Sequence, residues 1–246
     1  MVLDVGCGDG LIAFGALERV GGNGQVIFSD ISADLISRCR TTAEQLSVVD
    51  HCRFLVAAAT DLRDLVDASV DVITARSVLI YVDDKEAAFR EFYRVLRPGG
   101  RIAIGEPINQ FTYPEPPGIF LGYDLSPIAE LADKLRAYFD RVERAKLSSM
   151  MDFNERDLLR LVEDAGFREI ELNLRIEVRG TRRESWDRFV KTAGNPLSPT
   201  LKQAMAASLT PDETATLRAQ LKPRVESGTG TERRAFAFLK ARKAGG

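Results

Sequence analysis

Apolar positions in the first hundred residues fall into strand-length and helix-length patterns that alternate along the chain. Five apolar segments have the length of buried strands: residues 2–5, 25–29, 54–57, 70–75 and 101–106. Apolar residues recur at helical spacing in three intervening segments: residues 11–20, 32–46 and 83–96. Strands that alternate with helices predict a doubly wound α/β fold with a mostly parallel sheet.

The second half of the chain has a more irregular pattern. Six of the ten prolines lie in residues 98–127. Asn154 has the character of a helix N-cap, and Gly166 that of a helix stop. Residues 170–178 alternate as a strand does, and 235–241 form one more apolar segment. We expect these two strands to be antiparallel neighbours, separated along the chain by a helical insertion.

These patterns predict four parts of the chain. The predicted parts are an α/β core over 1–106, an insertion over 107–150, a C-terminal completion of the sheet over 151–180 and 231–246, and a helical lid over 181–230. A connection as long as the last one is too long for a simple hairpin. We expect its apolar helix faces to pack over the carboxyl edge of the sheet.

Composition narrows the class of function. The chain has 246 residues, 45% of them hydrophobic and 28% charged, which excludes wholesale disorder. A net charge of −2 argues against a nucleic-acid partner, and no apolar run is long enough for a membrane span. Three cysteines without a CxxC pair predict reduced thiols and a cytoplasmic protein. With His51 as the single histidine, we expect no metal site.

A glycine-rich turn joins the first strand to the first helix. It reads Asp4-Val-Gly6-Cys7-Gly8-Asp-Gly10, with the glycine spacing GxGxG rather than the GxGxxG of dinucleotide-binding folds. Glycines at such a turn let the backbone bend tightly and let a ligand approach closely. Asp30 ends the second strand, where a carboxylate can accept hydrogen bonds from a ribose diol.

Together with residues 95–100, Val-Leu-Arg-Pro-Gly-Gly, these motifs resemble those of the class I S-adenosylmethionine-dependent methyltransferases. The resemblance is to the branch of ubiquinone-biosynthesis and other small-molecule enzymes. It implies six parallel strands, an antiparallel seventh, and S-adenosyl-L-methionine bound across the carboxyl ends of the first four. It also implies a small-molecule acceptor. Residues 1–106 would then be a Rossmann-like cofactor-binding core and 107–150 a substrate-side insertion, with the helical lid over 181–230 covering the acceptor pocket. Relatives usually carry one or two helices before the first strand, whereas this chain begins inside that strand.

The resemblance also assigns roles to single positions. Asp4 helps to hold the ammonium end of the cofactor, Asp30 binds the ribose, and Ile31 packs on the adenine. The loop that carries Gly6, Cys7, Gly8 and Gly10 passes beneath the methionine part, which the backbone of Arg76 also approaches. The Asp-Ala pair that often contacts the adenine amine is replaced by Ala58-Ala59, so Asp61 either substitutes for it or caps a turn.

Methyl transfer is an in-line displacement that depends mainly on orientation. A base is needed only for an acceptor that is protonated, and the sequence offers Glu106 at the rim of the sheet, Tyr81, or an anion clamp by Arg76. The rival interpretations are a binding or sensor protein without turnover and a nicotinamide oxidoreductase. The sequence lacks the motifs expected of DNA methyltransferases. Arsenite methylation needs several thiols near the sulfonium, and only Cys7 is expected there.

Overall fold

A computed structural model describes residues 1–22, 24–143, 148–195 and 198–245. Seven strands form the main sheet, and two short ones form a separate hairpin. The strands are β1 Val2–Val5, β2 Val26–Asp30, β3 Cys52–Val56, β4 Val70–Arg76, β5 Leu96–Pro107, β6 Ile119–Phe120, β7 Tyr123–Asp124, β8 Arg168–Gly180 and β9 Thr231–Arg242. The main sheet has the order β3-β2-β1-β4-β5-β9-β8.

Ten α-helices connect these strands in the described part of the chain. They are α1 Leu11–Val20, α2 Ala33–Gln45, α3 Lys85–Val95, α4 Asn109–Thr112, α5 Ala129–Glu143, α6 Ser148–Met151, α7 Glu155–Asp164, α8 Trp186–Lys191, α9 Leu201–Ser208 and α10 Pro211–Ser227. None of the described helices is long and apolar enough to cross a membrane.

The predicted arrangement of parallel and antiparallel strands is confirmed. Strands β3, β2, β1, β4 and β5 pair in parallel, and β9 pairs antiparallel with β5. Ion pairs across the last two strands join Glu169 to Arg242 and Arg179 to Glu232, so residue numbers fall along β9 as they rise along β8. Strand β8 is therefore antiparallel to β9 and runs parallel to the rest.

The central strand β1 is buried on both sides, as a parallel sheet between helix layers requires. Val2 lies opposite Val26 on β2 and Val72 on β4. One layer of the core packs α1 and α2 against this part of the sheet through Phe14, Phe28 and neighbouring apolar residues. The carboxyl ends of β1, β2 and β4 therefore lie along one edge of the sheet.

The chain divides into two compact units. The first comprises residues 1–108, 153–175 and 236–246, and the second comprises 109–152 and 176–235. The second unit has a hydrophobic core of its own, to which both predicted insertions contribute: Phe120 and Leu135 come from one, Leu217 and Leu221 from the other. The two segments that the sequence suggests as separate insertions thus share one core.

Helix capping agrees with the sequence patterns with one correction. Asn154 and Thr210 each form a capping box, with Asp157 and Glu213 respectively. The sequence pattern favours Asp83 as the start of α3, but the cap is Asp84, whose carboxylate accepts the amide of Ala87 at 2.7 Å. Both residues are acidic, and only the backbone geometry distinguishes them.

Candidate functional site

The three glycines of the first turn serve different purposes. All have positive φ: +64° at Gly6, +57° at Gly8 and +85° at Gly10. A Cβ on Gly6 would lie 2.5 Å from Cγ2 of Val78, and one on Gly10 would lie 2.6 Å from the ring of Phe14. A Cβ on Gly8 would meet no atom of the described residues within 4 Å. Packing therefore excludes a side chain at Gly6 and Gly10, whereas the space beside Gly8 is open.

Asp30 holds this loop against the end of β2. Its Oδ2 accepts the backbone N–H of Gly8 at 3.0 Å, and its Oδ1 accepts that of Ser32 at 2.9 Å. The carboxylate is 9% exposed, so the contacts lie in a partly desolvated environment. Charge-assisted hydrogen bonds of this kind are stronger than neutral ones. The structure thus brings the predicted loop and the predicted acid together.

Asp4 lies in the middle of the sheet with its side chain buried. Its Oδ1 accepts a hydrogen bond of 2.6 Å from the Thr74 hydroxyl, whereas Oδ2 has no partner among the described residues. Burial raises the pKa of Asp4 to about 6, while the bond from Thr74 and the amide of Ala13 act in the opposite direction. The hydrogen bond from Thr74 therefore ties β1 to β4 just before the glycine loop.

Cys7 belongs to the glycine loop, and Cys39 of α2 lies against it. The backbone N–H of Cys7 donates to Ser29 O at 2.9 Å, and the thiol of Cys39 donates to Gly8 O at 3.4 Å. Burial raises the pKa of both thiols, so they stay protonated near neutral pH. Protonated thiols are poor nucleophiles and poor metal ligands, and these two act as packing groups.

The predicted adenine side of the site follows β3. The backbone N–H of Ala57 donates to Asp30 O at 3.0 Å, which places Ala58 close to the end of β2. Ile31, just after β2, is 75% exposed, whereas Ala59 is buried. Asp61 receives Nε of Arg63 on one oxygen and Nη2 on the other, each at 2.7 Å. These bonds from Arg63 lower the pKa of Asp61. Asp61 is thereby engaged within its own turn.

Arg76 and Tyr81 lie at and just beyond the carboxyl end of β4. Arg76 is exposed and forms no ion pair within the described residues, and its Cα partner on β5 is Gly105. The Tyr81 side chain is 44% exposed, and its partial burial and the nearby Glu106 carboxylate raise its pKa. Both side chains are accessible from solvent, as groups that contact a small acceptor must be.

The expectation that Glu106 lies at the rim is wrong. The side chain is fully buried, and its Oε1 accepts the backbone N–H groups of Val78 at 2.9 Å and Leu79 at 3.0 Å. Its Oε2 has no partner among the described residues. Burial raises the pKa of Glu106 to about 7, which those amides and the charge of Lys85 partly offset. Strand β5 extends to Pro107, so this residue still belongs to the sheet.

Sequence reasoning missed residues that shape the site through contacts. Val78 packs against Gly6, Thr74 donates to Asp4, and Ser77 has a left-handed φ of +55°. Thr74 had a detectable signal, because it is a hydroxyl residue within the apolar run Val70–Ala75. Val78 and Ser77 had none, since their roles depend on how the turn after β4 folds.

Comparison with known proteins gives matches that agree with this geometry. Residues 2–100 match the sequence family described as "Methyltransferase domain". Arsenite methyltransferase of Halobacterium salinarum is 33% identical over 114 residues, covering 46% of this chain and 29% of that protein. tRNA 5-carboxymethoxyuridine methyltransferase of Escherichia coli is 37% identical over 103 residues, covering 42% and 38%. The chain thus spans about a third of the length of these two relatives.

Two further matches extend beyond the first hundred residues. The ubiquinone/menaquinone biosynthesis C-methyltransferase UbiE of a Shewanella strain is 28% identical over 173 residues, 69% of this chain and 67% of that protein. A crystal structure of a putative methyltransferase from Bacillus halodurans matches with a TM-score of 0.59 and 20% identity, covering 99% of this chain and 92% of the other. At 20% identity, the likeness to the Bacillus halodurans structure concerns the fold alone.

Proposed function

Because the chain belongs to the class I S-adenosylmethionine-dependent methyltransferases, we propose that it transfers a methyl group from S-adenosylmethionine to a small-molecule acceptor. The observation that carries the proposal is the open, left-handed position of Gly8, whose N–H is fixed by Asp30 at the carboxyl edge of the sheet. In open α/β sheets, ligands bind at this edge.

The residues around the loop fit such a cofactor. Gly8 leaves space where its backbone can approach a ligand without a Cβ in the way. Each oxygen of Asp30 accepts one backbone N–H, and a carboxylate oxygen has a further lone pair for a ribose hydroxyl. The exposed side chain of Ile31 offers an apolar surface for the adenine. These three residues would hold the nucleoside, and the 6–10 turn would hold the methionine part.

Ala58, Ala59 and Asp61 form the remaining part of the proposed adenine side. Because Arg63 engages both oxygens of Asp61, we assign its carboxylate to the turn. The backbone of Ala58 and Ala59, next to the end of β2, then supplies the polar groups on this side. Cys7 ties the loop to β2 through Ser29, and Asp4 ties β1 to β4 through Thr74, just before the loop begins.

Bound S-adenosylmethionine supplies an activated methyl group, so the chain's own task is to orient the acceptor and exclude water. We assign the acceptor contacts to Arg76 and Tyr81. The guanidinium of Arg76, which forms no ion pair within the described residues, suits an anionic acceptor, because a planar fork of donors matches a carboxylate. The Tyr81 hydroxyl, with its raised pKa, donates a hydrogen bond near neutral pH and is not a base.

Two other acceptor classes follow from the names of the relatives. A site for arsenite needs accessible thiolates, but Cys7 and Cys39 are buried and their pKa values are raised. A tRNA substrate needs a positive field, but the net charge of the chain is −2. Both observations favour a small organic molecule. A sensor without turnover has no feature of the described structure in its favour.

Consumption of the methyl donor tests the proposal. Purified protein is incubated with S-adenosylmethionine and, in separate reactions, with a metabolite extract, total tRNA and arsenite. We expect S-adenosylhomocysteine to accumulate with the extract only, and the Arg76→Gln variant to lose that activity. Turnover with tRNA or arsenite would contradict the small-molecule acceptor, and cofactor binding without turnover in any reaction would favour the sensor.

A further inference from the structure

The turn that follows β4 is held by two successive residues of β5. The N–H of Ser77 donates to Gly105 O at 2.8 Å, and those of Val78 and Leu79 donate to Oε1 of Glu106 at 2.9 and 3.0 Å. Three consecutive backbone amides are therefore fixed by neighbouring acceptors. The acceptors belong to a rigid strand, because Gly105 and Glu106 are also paired with Phe238 and Ala237 of β9.

This turn needs such an anchor because its backbone is strained. Ser77 has a φ of +55°, in the left-handed region that side-chain-bearing residues rarely adopt. Such conformations persist only where the surrounding contacts determine them. Without the carboxylate, the amides of Val78 and Leu79 would be left without an acceptor at a buried position, which is costly.

The turn carries the side chain that fixes the glycine loop. The ideal Cβ position of Gly6 lies 2.5 Å from Cγ2, 3.2 Å from Cγ1 and 3.4 Å from Cβ of Val78. The isopropyl group of Val78 thus fills the space that a side chain at position 6 would occupy. A shift of Val78 would remove the support of Gly6, two residues before the open position at Gly8.

We propose that Glu106 is a positioning residue for the cofactor, whose carboxylate fixes the turn after β4 and, through Val78, the glycine loop. The inference rests on the proposed function, since it names what holds the cofactor loop in place. It also replaces the role of base expected from the sequence: Glu106 is fully buried, and one of its oxygens is occupied by two amides.

The two roles differ in what a glutamine does at this position. Glutamine cannot take up a proton, so it abolishes the function of a base. Its side-chain carbonyl oxygen can still accept the amides of Val78 and Leu79, so it preserves a positioning function. Leucine has no acceptor and removes both functions. The pair Glu106→Gln and Glu106→Leu therefore distinguishes a base from a positioning residue.

Titration calorimetry with S-adenosylhomocysteine on the 246-residue chain tests the proposal. We expect Glu106→Leu to raise Kd about tenfold or more, and Glu106→Gln to restore it to within about threefold of wild type. Val78→Ala, which leaves the carboxylate intact, should raise Kd by about three- to tenfold. The double variant Glu106→Leu/Val78→Ala should lose less than the product of the two single effects, because both act on one contact.

Val95→Ala is the matched control. Val95 is fully buried at the end of α3, so its truncation lowers stability but should leave Kd unchanged. If Glu106→Leu does not fold, the Kd values of Val78→Ala and Glu106→Gln decide whether Glu106 positions the loop. The inference is overturned if Val78→Ala binds with wild-type affinity. It is also overturned if Glu106→Gln raises Kd about tenfold or more, the effect expected of Glu106→Leu. Failure of the wild type to bind would instead count against the proposed function.

Discussion

The backbone N–H of Gly8 donates a 3.0 Å hydrogen bond to Oδ2 of Asp30, which ties the glycine loop after β1 to the end of β2. Asp30 therefore has two tasks in the proposed site: it holds the loop at its open position, and it offers its remaining lone pairs to a ribose. The same carboxylate also accepts the N–H of Ser32 just before α2, so loop, strand and helix are joined at one side chain.

Replacement of Asp30 by alanine should weaken cofactor binding by about 1.5–3 kcal/mol, the range for loss of hydrogen bonds to a charged group. Titration calorimetry with S-adenosylhomocysteine measures the effect. Asp34→Ala is the control, because Asp34 is an exposed acid in the first turn of α2. An unchanged dissociation constant in Asp30→Ala would remove Asp30 from the site.

A methyl group at position 8 should interfere with the ligand rather than with the fold. Gly8→Ala places a Cβ into open space at a φ of +57°, so it carries backbone strain and blocks the approach of a ligand. Gly99→Ala is closely matched: its φ is +76° and its Cβ would also meet nothing within 4 Å, but it lies within β5. We expect similar losses of melting temperature in the two variants.

Only Gly8→Ala should raise the dissociation constant for S-adenosylhomocysteine, by about tenfold or more. Equal affinities in the two alanine variants would show that the open space beside Gly8 is not the ligand's path. A larger loss of stability in Gly8→Ala than in Gly99→Ala would indicate that the loop is needed for folding.

Stability should fall as pH rises through the titration of Glu106. Its pKa rises from 4.5 in the unfolded chain to about 7 in the folded protein, so the folded state binds more protons between these values. The carboxyl group therefore favours folding below pH 4.5, and this contribution is lost as pH approaches 7, by up to about 3 kcal/mol. Urea denaturation of wild type and Glu106→Gln at pH 5 and pH 7.5 measures the difference.

Glutamine does not titrate, so Glu106→Gln should lose less stability than wild type over this interval. Asp4, whose pKa is raised to about 6, titrates in both proteins and so contributes to both profiles equally. The same decline in both proteins would mean that Glu106 stays ionised throughout.

The second unit should be needed for transfer but not for cofactor binding. Leu217 is fully buried in the core that its two segments share, and Leu217→Ala should destabilise that unit by about 2–5 kcal/mol. Deletion of 182–226 would instead uncover Phe120 and Leu135, so a point substitution is the sharper test. Arg218→Ala, at an exposed position of the same helix, is the control.

We expect Leu217→Ala to keep the wild-type dissociation constant for S-adenosylhomocysteine and to lose methyl transfer at temperatures where the second unit unfolds. Full turnover with an unfolded second unit would show that residues 109–152 and 176–235 take no part in acceptor recognition. The fluorescence of Trp186, the single tryptophan of the chain, reports the unfolding of the second unit because this residue lies in that unit's core.

Local patterns in the sequence were enough to predict the sheet, the glycine loop and most helix ends. The alternation of strands and helices and the Asn154 cap depend on residues close together in the chain. Asp30 was predictable for the same reason, since an acid at the end of the second strand lies beside the loop after the first.

The features that sequence reasoning missed depend on contacts between distant residues. The burial of Glu106 follows from the length of β5 and from the turn after β4, which folds back to donate two amides to it. The contact of Val78 with Gly6 joins residues that are 72 positions apart. The shared core of the second unit likewise unites segments that are separated by β8.

Titration calorimetry of the wild-type chain with S-adenosylmethionine, and in parallel with NAD and NADP, tests the central claim most directly. The account predicts saturable binding of S-adenosylmethionine to one site and no binding of either nicotinamide cofactor, because the loop has the GxGxG spacing and an open Gly8. No heat of binding with S-adenosylmethionine, or saturable binding of NAD or NADP, would contradict it.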